Sequence, residues 1–498
     1  MTGLAALQQR FAAYSRRLAL HAEEGKIPNA FLIELLEFAA AAARTRGNVR
    51  AIELLEQAVA IETRDARLWF ALGIAQREEQ RPTEALAAIV RAKALAPHDP
   101  QITLADAQIH FETGLPAANR FAMAKELSPE NLFIVRNQAA ALAAEGAFGA
   151  AEALLTETLV TNQEWIDGHK ALTTMRATYG QNKDFARSFE IACKAQPKNQ
   201  ALRLAWFHVM ASARRWDEAR AIVADGQTLI GDNQAFALAR IFIASESGEG
   251  ANDLLIESVA FIEDTGLDLC RVRYWLKVGK PDRAEAICLR QVNTPAANAF
   301  WPYLSIIWRL KGDSRLAWFD GEGAYIRAYD LKFTESELGA LAACLRSFHT
   351  MKAPYFEQSV RGGTQTDRPI FMRPDREVQE ARARILEATS DYIEQLPAPD
   401  TAHPLLKHAR NQIKFAGSWS VRLSAQGFHA CHTHPLGWIS SAFYVALPKQ
   451  SAGHAGWLSL GTPPPELNLD LDATAHIEPK PGRLVLFPST MWHSTRPF

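Results

Sequence analysis

The chain has 498 residues, 48% of them hydrophobic and 22% charged, and 54 Lys plus Arg against 55 Asp plus Glu leave a formal net charge of -1. That is about three domains' worth of ordinary globular material, not a disordered or fibrous chain, and near-neutrality supplies no bulk attraction for nucleic acid. Five scattered cysteines (Cys193, Cys270, Cys288, Cys344, Cys431) with no CxxC pair exclude a disulfide framework; a reducing, cytoplasmic location is expected.

Residues 1–30 read as a helical lead-in. Gln8, Gln9 and Arg10 break the apolar stretch too early for a secretory leader. No run of about eighteen apolar residues occurs anywhere, so no membrane span is expected.

From there to about residue 320 the chain is rich in Ala and Leu, with apolar residues at helical spacing, as in Ala51, Ile52, Leu54, Leu55, Ala58 and Val59. A small residue opens each second helix at Ala51, Ala85, Ala118, Ala151, Ala186, Ala219, Ala251 and Ala284, with successive differences of 34, 33, 33, 35, 33, 32 and 33. In the unit 69–97, Trp69, Leu72 and Gly73 fall on the first helix, and Ala85, Ile89 and Ala92 on the second. Small residues at 73 and 85 let two helices approach closely, and Pro97 ends the pair. This pattern resembles the tetratricopeptide (TPR) family over 31–320, though most other units lack the Trp–Leu–Gly part. The resemblance implies an α-solenoid whose concave groove takes a protein or peptide; a spacer or dimerisation surface is the plainer alternative.

Residues 321–349 are expected to be a helical connector. Beyond 350 the pattern changes. An amphipathic helix spans 376–395, and alternation predicts strands at 418–423, 440–447 and 483–487. Pro-rich turns at 462–465 and 479–482 separate the later strands, which together read as a β-sandwich or barrel. The solenoid and this domain are expected to be separate units, so that changes at the histidines of the second would leave helical content unaltered.

Chemistry concentrates in Phe428-His429-Ala430-Cys431-His432-Thr433-His434-Pro435 and Trp492-His493. On an extended chain, residues at i and i+2 face one side, so His432 and His434 can address one metal while Cys431 and Thr433 face away. His429, at odd spacing from His432, is also expected to face away. His493 follows His432 by 61 residues, at the end of a strand that a barrel could return to the same place. Imidazole suits Fe, Zn, Cu or Ni. The plainer alternative is a set of ordinary buried histidines. Asp470, Asp472 and Glu478 are weaker candidates for a carboxylate ligand, lying in a stretch that reads as loop.

With 438–445, 482–489, the Arg361-Gly362-Gly363-Thr364-Gln365-Thr366 segment and the 418–423 strand, these histidines resemble the 2-oxoglutarate/Fe(II) oxygenase domains attached to TPR arrays in bacteria, over 350–498. The resemblance implies a multidomain α + β chain: a TPR-like α-solenoid followed by a double-stranded β-helix (jelly-roll) domain. It implies Fe(II), 2-oxoglutarate and molecular oxygen as reaction partners, with no nucleic acid or membrane. His432 would be the first ligand and His493 the distal one; His434 stands where the wider superfamily has Asp or Glu. The family's cosubstrate arginine falls some ten residues after the last histidine, but only Ser494, Thr495, Arg496, Pro497 and Phe498 follow here. A fragment is therefore expected, or a substitute cation, Arg422 or Arg496, with Tyr444 and Ser440 as hydrogen-bonding partners of the cosubstrate. A three-histidine zinc hydrolase and a non-catalytic scaffold remain the alternatives.

Overall fold

The computed structural model describes residues 3–44, 47–181, 183–248, 252–259, 261–448 and 453–498. The chain packs as two compact units. The first holds Met1–Thr158 with Asp367–Gln379 and Gly417–Trp419; the second holds Leu159–Thr366, Glu380–Ala416 and Ser420–Phe498.

The first unit opens with helices Gly3–Glu24 and Asn29–Arg44 and continues as antiparallel pairs such as Ala66–Glu78 with Pro82–Leu95. Pro82 sits in the first turn, where its missing N–H costs nothing, and the Asp99 side chain caps the following helix through the Gln101 and Ile102 amides. Glycine at 73 is required by the helix approach. A Cβ there would stand 3.3 Å from the Ile89 nitrogen and 3.5 Å from the Ala85 carbonyl oxygen. The periodic small residues Ala51, Ala85, Ala118, Ala151, Ala186, Ala219 and Ala284 are all buried across the two units; Ala251 lies outside the described residues. Segment Asp367–Gln379 docks on the turn after helix Pro100–Glu112. There Arg368 donates to the Phe111 carbonyl at 3.2 Å and its guanidinium covers the Phe111 ring.

The second unit continues the pairs, from Ile166–Thr178 to Ala297–Lys311 and Arg315–Asp320, and adds eight short strands: β1 Arg327–Asp330, β2 Val360–Gln365, β3 Val421–His429, β4 Ile439–Phe443, β5 Leu458–Leu460, β6 Ala475–Ile477, β7 Arg483–Pro488 and β8 His493–Thr495. They form three small antiparallel sheets, ordered β1-β7-β4, β2-β3 and β6-β5-β8. Proline and positive-φ glycines such as Gly461 and Gly482 divide the described strands into these pieces rather than one continuous double sheet.

Several expectations change. Segment 321–349 is not purely helical: β1 lies in it and pairs with β7 from Arg327–Leu486 to Asp330–Arg483, before helix Glu335–Ser347. The first predicted strand begins at Val421, not 418, because Ser418 and Ser420 spend their carbonyls on the Ile370 and Thr366 amides. The second ends at Phe443, with Tyr444 still bonded to the Arg483 carbonyl. The helix at 376–395 is Arg376–Glu394; within the second unit it buries Ile385, Tyr392 and Ile393, and Tyr392 donates to the Tyr325 carbonyl at 2.7 Å.

The last repeats and the strands are also not separate. One core joins Phe300, Trp301, Tyr303, Leu304 and Trp308 of the solenoid to Leu467 and Trp492 of the strand region. Side chains of helix Ala297–Lys311 hold that region: Asn298 donates to the Pro435 carbonyl at 3.1 Å, and Arg309 donates to the carbonyls of Gly461 and Asp472. Shared apolar burial, which no local pattern encodes, moves the division of the chain from the connector to residue 158.

Candidate metal centre

Two backbone accidents bring the histidines together. His432 and His493 form an isolated antiparallel bridge, each amide donating to the other's carbonyl at 3.0 Å. The His434 amide then donates to the Ser489 carbonyl at 3.0 Å. In consequence the rings of His432 and His493 lie 4.1 Å apart, those of His432 and His434 4.8 Å, and those of His434 and His493 5.0 Å. One ring nitrogen from each lies within 4.8 Å of the others.

The tautomers follow from the hydrogen bonds. His432 Nδ1 lies 2.8 Å from the Ala430 carbonyl and His493 Nδ1 3.0 Å from that of Met491. A carbonyl only accepts, so both Nδ1 atoms carry the proton and both Nε2 lone pairs are free toward the cluster. His493 Nε2 stands 3.2 Å from His434 Nε2. Two ring nitrogens on one ion at about 2.1 Å would be about 3.0–3.4 Å apart, so this pair already has a ligand spacing, and small ring rotations bring in the third.

Burial, the largest cause, pushes the imidazoles toward neutrality: His434 to about 4, His432 below its ordinary value and His493 well below it, with the neighbouring rings adding to the effect at His434 and His493. Neutral rings with directed lone pairs are what a divalent cation requires. The donor set therefore fits Fe(II) or Zn(II). Among the described residues no carboxylate joins it; Asp470, Asp472 and Glu478 are exposed.

The side chains flanking these histidines are packed away from the cluster. Cys431 donates to the Thr462 carbonyl at 3.0 Å, and burial pushes its thiol up to about 12, so it is a structural group. Trp492 donates to the Pro302 carbonyl at 2.9 Å. His429 does not face away: its ring stacks on His432 at 6.0 Å and bonds Ser359 Oγ at 2.9 Å, and burial lowers it to about 4. β3 ends at His429, so strand parity does not carry across residues 430 and 431.

The four cosubstrate candidates separate. Ser440 and Tyr444 share the buried face. Ser440 Oγ lies 2.9 Å from Ser489 Oγ, whose residue also receives the His434 amide. Tyr444 packs against the apolar wall of Val485, Phe487 and Met491, and the Phe487 ring touches that of His493. Among the described residues its buried hydroxyl has no hydrogen-bond partner, and burial raises its pKa. An orphaned hydroxyl of this kind asks for a polar ligand. The arginines do not join them. Arg422 is exposed, seven residues along β3 from His429, and its charge acts on His349. Arg496, exposed, lies 3.3 Å from His476 Nε2. It is three residues from His493, on the opposite strand face. Sequence reasoning turned His429 away from the cluster and gave Ser489 no role of its own, although Ser489 lies in a stretch that carried the resemblance.

A helical-repeat array carrying a small β-domain with a convergent histidine cluster is the class of protein that fold and site define. Residues 417–498 match the family model described as "Putative 2OG-Fe(II) oxygenase", and the array before them has a TPR-like fold. Similar solved structures include a tetratricopeptide repeat protein from Parabacteroides merdae, 18% identical over 55% of this chain and 97% of that one with a TM-score of 0.31. Yeast Tom70 is 14% identical over 60% of this chain and 63% of its own, with a TM-score of 0.36. No curated protein matches the chain.

Proposed function

We propose that the domain is a 2-oxoglutarate- and Fe(II)-dependent dioxygenase, with His432, His434 and His493 holding the ion. The observation that carries this is the meeting of three buried neutral imidazoles, two of them with Nδ1 protons committed to carbonyls and Nε2 lone pairs turned inward. The ion, when bound, supplies the activation of oxygen by which one oxygen atom enters a substrate C–H bond and the other enters succinate, with release of carbon dioxide. The chain's own part is to orient and to keep water out. Met491 and Ala430 carbonyls fix two rings, Phe487 and Met491 line the dry side, and Tyr444 and Ser440 offer hydroxyls to the cosubstrate.

Helix Ala297–Lys311 already carries the chain's own strand region, through Asn298, Pro302, Tyr303 and Arg309. A protein or peptide substrate would therefore be recruited by other solenoid surfaces. Five cysteines with no disulfide among the described residues and a ferrous ion suit a reducing, cytoplasmic setting, and no helix among the described residues is long and apolar enough to cross a membrane. The all-nitrogen donor set favours, as a second reading, a hydrolytic zinc centre. Succinate formation from 2-oxoglutarate by iron-loaded protein under oxygen tests the first. Zinc retention without any succinate from the iron form would favour the second.

A further inference from the structure

One repeat of the second unit has, among the described residues, only a stub of its second helix. After the first helix Gln234–Ser247 comes Asp253–Glu257, five residues long. The corresponding second helices Pro82–Leu95, Ala118–Leu127, Trp216–Ile230 and Pro281–Gln291 have 14, 10, 15 and 11. In a repeat array each unit is covered by its neighbours, so a shortened helix leaves surface that its equivalents would shield. Helices Gln234–Ser247 and Thr265–Lys277 pack on one another, and the short segment covers them through Ile256 and Val259, which are buried in the same core as Ile241 and Leu267.

The segment is nevertheless fixed. The Asn252 side chain accepts from the Leu255 amide at 2.9 Å, and Tyr274 donates to Asp253 at 2.7 Å. The buried Arg271 guanidinium donates to the carbonyls of Val259 and Ile262. On this anchored frame Leu254 and Phe261 are each 81% exposed, and Val278, two residues before the lysine that pairs with Asp253, is 42% exposed. Large apolar side chains presented together on a rigid surface mark a place of contact. The charge around them is one-sided: residues 252–264 carry four carboxylates and no lysine or arginine. Lys280 and Arg283 pair with Asp253 and Glu257. The exposed Glu263 and Asp264 make no ion pair among the described residues.

We propose that this surface docks an amphipathic helix of a protein partner, basic on its polar face, in the place of the shortened second helix. Apolar residues at helical spacing cover Leu254 and Phe261, and lysine or arginine beside them meets Glu263 and Asp264. An acidic helix offers the wrong charge. The probes are two fluorescent peptides of about 14 residues with leucine at helical spacing, one with lysine and one with glutamate at the remaining positions. Their binding to metal-free full-length protein is measured by anisotropy, so no outcome bears on the oxygenase reading. The parent binds the lysine peptide at least about 10-fold more tightly than the glutamate peptide, and salt narrows the difference. Leu254→Ser combined with Phe261→Ser weakens the lysine peptide by about 10-fold or more, and Glu263→Lys narrows the preference between the peptides. These side chains stand in solvent, so melting temperatures stay parental. No binding of the lysine peptide, equal affinity for both peptides, or undiminished binding by the double serine variant overturns the assignment. So does a parent that self-associates in sedimentation equilibrium and loses that association in the double variant, because the surface then takes a second copy of the chain. If the double variant does not fold, Leu254→Ser alone decides.

Discussion

Replacing Trp492 by Phe tests whether the solenoid supports the histidine cluster. The indole is 6% exposed, donates to the Pro302 carbonyl at 2.9 Å, and meets the Tyr303 ring edge-on at 5.4 Å. Phenylalanine keeps an aromatic edge but loses the N–H, about 1 kcal/mol net. The smaller ring gives up roughly 40 Å² of buried apolar surface, about another 1 kcal/mol. The Pro302 carbonyl also receives the Ser305 hydroxyl, so no large orphan penalty is added. A loss of about 2 kcal/mol is about 30-fold in the equilibrium that opens the 432–493 bridge. Hydrogen exchange at the His432 and His493 amides reads this opening directly; both should exchange about 30-fold faster, and cobalt affinity should fall by up to the same factor. Parental exchange rates at these two amides would refute the idea that the repeat helices hold the cluster in place.

His434→Asp, which restores the carboxylate of the wider superfamily, should retain iron and raise 2-oxoglutarate turnover; loss of all metal by elemental analysis would show that the third imidazole is not interchangeable with a carboxylate. Tyr444→Phe removes a buried hydroxyl that has no hydrogen-bond partner among the described residues. Denaturant unfolding should show metal-free stability unchanged or raised by about 1 kcal/mol, while the 2-oxoglutarate dissociation constant rises; a large loss of stability would contradict the orphaned hydroxyl. Acid should destabilise the metal-free protein between about pH 6.5 and 4. Burial holds His429 and His434 at about 4 when folded, the unfolded rings titrate near 6.5, and in that window the unfolded chain binds more protons, so stability falls as pH drops. Added zinc should move the acid midpoint, followed by circular dichroism, to lower pH.

The His432–His434 pairing was legible because two residues on one extended segment need only local geometry to share a side. The 33-residue rhythm was legible for a similar reason, since each buried alanine answers to the helix beside it. Seeing that His429 joins the group required knowing where β3 stops, which the Thr495 hydroxyl and the Ser359 side chain decide from distant parts of the chain. Arg422 was misplaced for the same reason: its parity with Ser418 presumed a strand that the Ile370 and Thr366 amides interrupt.

The amino-acid order alone thus determined the helical repeats, the β character of the last third and the identity of the three imidazoles, all of which depend on contacts between near neighbours or on residue chemistry. Only the tertiary structure decided that the last repeats and the strand region share one core, and that among the described residues the Tyr444 hydroxyl has no hydrogen-bond partner. Those facts arise from burial between segments as much as 190 residues apart, where the free energy lies in surfaces that no local pattern can match.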